Sequence, residues 1–172
     1  DAQSDDAYAG ADNPDIFQID DYEIEATNAN ASRDWGYLYS LIGKTNRVIN
    51  NVEAVPDPAL SNDRKQQIKG EASFIRAFAH FDLVRLFGDV PRVVKEVRSI
   101  SATNLEEVYP LLFPERAPSE SVYEQIISDL EFALGTVRIT APDKGYVTVG
   151  AVNALLAKVY ATMVPHDWDK VN

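Results

Sequence analysis

The chain has 172 residues and a formal charge of −11, with 45% hydrophobic and 25% charged residues, no Cys, two His and nine Pro. This is the composition of a folded globular chain rather than a disordered tail. It excludes disulfides, thiolate zinc sites and cysteine nucleophiles, and the acidic balance argues against nucleic-acid phosphates and disfavours anionic ligands.

No apolar run reaches the ~18 residues that span a bilayer. The opening DAQSDDAYAG has neither the basic nor the apolar region of a signal peptide. Asp1 in place of an initiator methionine reads as a processed or trimmed start.

Residues 1–34 are acidic and irregular, with Asp5, Asp6, Asp12, Asp15, Asp20 and Asp21 among Asn and Gly. Such residues bond nearby backbone and favour turns, so this segment is expected to be surface loop with short ordered pieces near 16–24. Residues 35–54 place Leu38, Leu41, Ile42, Thr45, Val48, Ile49 and Val52 at steps of three and four, which predicts a helix ended by Pro56 and Pro58. Residues 62–87 predict a long helix, with Asp63 and Gln66 as a capping box and Gly88 as its stop. One stripe holds Ile68, Ala72, Ile75, Ala79 and Leu83, and a second holds Phe74, Phe78 and Phe81. A helix apolar on two faces is expected to be packed on both.

Residues 89–118 carry four prolines and read as loop, with RVVKEV as a short extended piece. Residues 121–136 predict a third helix behind a Ser121/Glu124 capping box. A β-prone YVTV then leads into a fourth helix, 148–163, capped by Thr148. The expected fold class is all-α: an irregular segment at 1–34, a helix pair at 35–88, a loop at 89–118 and a second pair at 119–164. The pairs can stack as tetratricopeptide-like helix hairpins with long loops, or form an ordinary antiparallel bundle.

Catalytic chemistry finds little support. There is no G-x-S-x-G elbow and no glycine-rich phosphate loop. His80 sits mid-helix, as a core or helix-edge residue does, and His166 is expected to be solvated. Acidic pairs such as Asp20–Asp21 and Glu106–Glu107 read as solvated loop charge, and no EF-hand or zinc spacing is present. No catalytic residue, metal or cofactor is therefore assigned. Arg76, Arg85, Glu71 and Asn46 lie within apolar helical stretches and are read as ties between helices. Loop aromatics offer rigid amphipathic faces on which sugar rings stack, while Asn and Asp bond hydroxyls. The Tyr22–Asn30 segment has that mixture, in Tyr22, Asn28 and Asn30.

The four helices together carry a recognisable pattern. The first has Trp35, Tyr39, Ile42 and Asn46; the second has Gly70-Glu71-Ala72, Arg76 and the run Leu83-Val84-Arg85-Leu86-Phe87-Gly88-Asp89-Val90-Pro91. The third has Ser121-Val122-Tyr123, Ile126, Asp129-Leu130 and Ala133; the fourth has Thr148, Gly150-Ala151, Ala154-Leu155-Leu156-Ala157 and Val159-Tyr160. Over roughly residues 4–171 the chain resembles the SusD/RagB family of Bacteroidetes outer-membrane nutrient-binding lipoproteins. The resemblance implies a tetratricopeptide-like fold, a lipid anchor at the outer membrane and no enzymatic activity. It implies two partners: an oligosaccharide ligand, or a peptide in the RagB branch, and a TonB-dependent transporter of SusC type. Family members are much longer, so 172 residues read as the N-terminal portion. Some members place ligand contacts before the first helix, which nominates Tyr22. A soluble tetratricopeptide adaptor and a glycoside hydrolase remain the competing readings.

Overall fold

The computed structural model describes residues 8–10 and 13–171. They form α1 (Pro14–Asp20), α2 (Ala29–Asn51), α3 (Asn62–Phe87), α4 (Leu105–Leu112), α5 (Ser119–Leu134) and α6 (Val149–Thr162), with short 3-10 turns at Val52–Ala54 and Trp168–Lys170. β pairing among the described residues is limited to two isolated bridges, Val90 with Ala117 and Arg138 with Thr148. The fold is all-α, as expected. The chain divides into two compact units, residues 1–39 and 40–172, and the division falls inside α2.

In the first unit, Asn13 caps α1 by accepting the Asp15 amide at 3.0 Å, and Pro14 opens the helix where no amide is needed. The segment expected to be irregular thus contains α1. It also contains the start of α2, at Ala29 rather than residue 35. The cause is local: Asn28 Oδ1 accepts the Asn30 and Ala31 amides, both at 3.1 Å. The expectation for residues 1–7, 11 and 12 lies outside the described residues.

The second unit is built on α3, which packs chiefly against α5, while α5 packs in turn on α6. Small buried residues on α3 (Ala72, Ala77, Ala79) allow close approach, and Phe81, Leu83, Ile126, Leu130, Val152 and Val159 fill the interior. The phenylalanine stripe divides: Phe81 is buried and Phe78 is exposed, so α3 is not covered on both faces by the described residues. Gly88, at φ 68°, stops α3 as predicted, and Thr148 caps α6 by accepting the Ala151 amide. Two predicted capping boxes are corrected. Ser61, not Asp63, caps α3. Helix α5 begins at Ser119, whose amide is received at 2.8 Å by Asp89, thirty residues upstream.

The loop 89–118 contains α4, with Pro110 inside it. Both ends of the excursion are joined: the Ala117 amide donates to the Val90 carbonyl at 3.0 Å, and Arg116 Nη1 donates to the Asp89 carbonyl at 2.6 Å. YVTV forms no strand and contributes only the bridge at Thr148.

Of the four polar residues read as ties, two are. Arg76 donates to both carboxylate oxygens of Asp129 on α5, at 2.8 and 2.6 Å, and to Asn46 Oδ1 on α2 at 2.8 Å. Asn46 Nδ2 continues to the Val93 carbonyl, and Gln125 donates to Asp129. Glu71 and Arg85 instead pair within α3, with Arg64 and Asp82.

At Gly70, α3 comes close to the turn after α5. A Cβ there would stand 2.1 Å from Thr136 Oγ1, which is held by the Phe132 carbonyl at 2.9 Å. Gly70→Ala is therefore expected to destabilise by about 1–2 kcal/mol although alanine favours helix by ~1 kcal/mol, because overpacking costs ~1–3 kcal/mol. A urea midpoint at or above that of the parent protein would rule out this close fit.

Candidate functional site

The candidate site is the connection between α1 and α2 in the first unit. Helix α1 ends in a complete Schellman arrangement: the Glu23 amide donates to the Gln18 carbonyl at 2.9 Å and the Tyr22 amide to the Ile19 carbonyl at 3.4 Å. This geometry requires a left-handed residue at the position after the cap, where glycine is usual. Tyr22 occupies it, at φ 58°. It is the only non-glycine residue with positive φ among those described. Holding a non-glycine residue there costs roughly 1–2 kcal/mol.

Tyr22 is 71% exposed, and Ile24 nearby is exposed as well. Asp21, Glu23 and Glu25 flank them on the same loop, with exposed carboxylates that accept hydroxyl hydrogens. A rigidly placed phenol with acceptors beside it can stack on the C–H face of a sugar and bond its hydroxyls.

The other two predicted contacts have different surroundings. Asn28 is buried, and its amide is used in full by the protein. Its Oδ1 caps α2, and its Nδ2 donates at 2.8 Å to the Asp15 carbonyl and at 2.8 Å to Gln18 Oε1. Asn28 therefore ties the start of α2 to α1, and its polar atoms are directed inward. Asn30 is half-buried in the first turn of α2, with its amide on Asn28 Oδ1. The structure thus joins Asn28 and Asn30 through the cap and leaves Tyr22 on the loop surface. Gln18, which helps to hold Asn28, was not singled out from sequence. A glutamine on a short helix carries no distinctive pattern, although Asn28 itself has the residue type of an N-cap.

Helix hairpins, a strained exposed aromatic and no strand among the described residues define an all-α, tetratricopeptide-like protein with an aromatic surface loop. Comparison with known proteins gives the family. The sequence profile of a SusD-like family, described as starch-binding and associating with the outer membrane, matches residues 3–161. A SusD-like protein of Bacteroides ovatus is 31% identical over 139 residues, covering 81% of this chain and 24% of its own length. A structure solved with a xylogluco-oligosaccharide matches with a TM-score of 0.69 at 30% identity, over 83% of this chain and 26% of its own. A laminarin-binding SusD-like protein matches with a TM-score of 0.70 at 26% identity, over 84% and 29%.

The chain belongs to the SusD/RagB family. It spans about a quarter of the length of the relatives it matches. None of its described helices is long and apolar enough to cross a membrane.

Proposed function

We propose that the protein is a surface solute-binding component that captures oligosaccharides for a TonB-dependent, SusC-type transporter of the outer membrane. A lipid anchor holds it at the outer leaflet. It binds and releases ligand and neither makes nor breaks a bond. The ring of Tyr22 is the stacking face, with Asn30 beside the cap as a secondary contact and Asn28 acting through the loop it holds. The observation that carries this reading is the left-handed tyrosine. Backbone strain held at a largely exposed aromatic is found where a side chain is presented to a ligand. Relatives solved with, or described as binding, a xylogluco-oligosaccharide and laminarin support a neutral glucan as ligand.

The test separates presentation from stability. Tyr22→Gly relieves the left-handed strain, and glycine's extra unfolded-state freedom returns about 0.4–1 kcal/mol, so thermal stability is expected to hold or rise slightly. Affinity for gluco-oligosaccharides should fall about tenfold with the loss of one aromatic face. Calorimetric titration of the protein, with whatever flanking sequence its gene encodes, checks both. Unchanged affinity in Tyr22→Gly removes Tyr22 from the site. Saturable peptide binding without sugar binding moves the protein to the peptide-binding branch.

A further inference from the structure

Helix α2 sets Ser40, Gly43, Lys44 and Arg47 on one face, because steps of three and four residues return to the same side. The extended segment 92–98 runs alongside that helix. The Val93 carbonyl takes the Asn46 amide at 3.0 Å, and Glu96 takes Arg47 Nε at 2.9 Å and Asn51 Nδ2 at 2.8 Å. Leu111 and Leu112 of α4 form the remaining wall. The result is a groove of about 520 Å³, within the usual range for ligand sites. A Cβ added to Gly43 would meet nothing within 4 Å, so the groove is open at that point.

The lining reverses the charge of the molecule. In a chain of net −11, this groove is bordered by Lys44, Arg47 and Lys95 and by a single carboxylate, Glu96. That carboxylate is already matched. Hydrogen bonds from Arg47 and then Asn51 hold it below the usual carboxylate range, and Arg98 stands 3.5 Å away. Among the described residues no carboxylate lies within ion-pair distance of Lys44 or Lys95, so two positive charges are left over. Val97, Leu111 and Leu112 add apolar surface to the same lining. Leu112 lies with Tyr109 of α4 and Phe113, the residue that caps it, in an exposed apolar group; the two ring centroids are 5.0 Å apart. The backbone groups of α2 and α4 are largely bonded within their own helices, so recognition on those two walls falls to side chains. A pyranose ring with an acid group suits the groove: one C–H face for the leucines, negative charge for the lysines.

We propose that this groove is a second carbohydrate subsite, specific for anionic oligosaccharides, with Lys44 and Lys95 pairing the ring's acid group and Leu111, Leu112 and Val97 receiving its apolar face. The chemistry is shared by two sources, uronic-acid carboxylates and sulfate esters. The inference takes from the proposed function only that the ligand is a carbohydrate.

Three oligosaccharides of equal length test it by calorimetric titration of the whole protein: an oligogalacturonate, a sulfated galacto-oligosaccharide and a neutral cello-oligosaccharide. At low salt, one or both anionic ligands are expected to bind about tenfold tighter than the neutral one, a preference that 0.5 M salt removes, since the Debye length falls from about 10 Å at 0.1 M to about 3 Å at 1 M. Which ligand is preferred identifies the acid group. Lys44→Gln/Lys95→Gln should abolish the preference and leave neutral binding unchanged. Gly43→Glu, which fills the open part of the groove with a negative charge and improves helix propensity, should do the same. Neutral binding without anionic preference, or a preference that survives both variants, overturns the inference and leaves the proposed function standing. Binding of hexaglutamate with no binding of any sugar overturns both.

Discussion

Arg76→Met is expected to destabilise the protein by about 3–5 kcal/mol, as removal of one partner from a buried ion pair does. Arg76 and Asp129 are joined by two parallel hydrogen bonds, and their side chains are only 8% and 6% exposed. Without the guanidinium, Asp129 keeps one donor, Gln125, and its charge stays in the interior. Asn46 loses the partner of its carbonyl oxygen while its amide remains on Val93. The pair is therefore more costly to break than its net contribution implies, since desolvation offsets much of its Coulomb attraction. Arg76→Met/Asp129→Leu should recover most of the loss, because it removes both charges and fills similar volume. Urea unfolding of the parent, the single variants and the double variant gives the coupling energy. A single-variant cost below about 1 kcal/mol would mean that apolar packing alone holds α3 to α5.

The second large effect is a loss of stability in acid, traced to one residue. His80 is fully buried on α3, its Nδ1–H donates to the Arg76 carbonyl at 3.2 Å, and its Nε2 has no hydrogen-bond partner among the described residues. Burial pushes its pKa from 6.5 down to about 4, and the positive charges of Arg76 and Arg92 add to that effect. The unfolded chain, with an ordinary imidazole, binds the proton first. Stability from this group is thus complete above about pH 6.5 and declines as pH falls toward 4, by about 3 kcal/mol in all at ~1.4 kcal/mol per unit. The difference between the parent protein and His80→Leu isolates this term, because the carboxylates titrate alike in both. Stability curves that stay parallel between pH 6.5 and 4 would refute it. Arg76→Met should also raise the His80 pKa, which imidazole proton shifts can follow if that variant remains folded.

Legibility from sequence tracked how local each cause was. Gly88 and Thr148 were readable because a left-handed stop and an N-cap act within one turn. The start of α5 was misplaced because its first amide is received by Asp89, remote in sequence, while Ser121 and Glu124 imitate a box within the first two turns. Helix α4 was hidden by Pro110, which disfavours a helix interior but is tolerated in this short one. Arg76 was recognised as a tie without its partner, since nothing in the sequence pairs Arg76 with Asp129. In the candidate site, Tyr22 was chosen for its aromatic chemistry, whereas its strain is visible only in the backbone angle. Asn28 was chosen for hydroxyl bonding, yet the same amide chemistry serves the helix cap. The cationic groove had no linear pattern at all, because its basic residues come from separate elements and net charge conceals a local reversal.

The joined base of the 89–118 excursion has a consequence for how such a protein diversifies. Asp89 with Ser119, and Val90 with Ala117, close the excursion where it leaves and re-enters the α3–α5 core. Beyond that clasp, changes in length cost little, since closure entropy grows only slowly with loop size. Lys95, Val97, Leu111 and Leu112 all lie within it. Selection can therefore vary the part of this cassette beyond the Val93 and Glu96 ties to α2, and change what the groove accepts, while the α3–α5 core keeps its own packing.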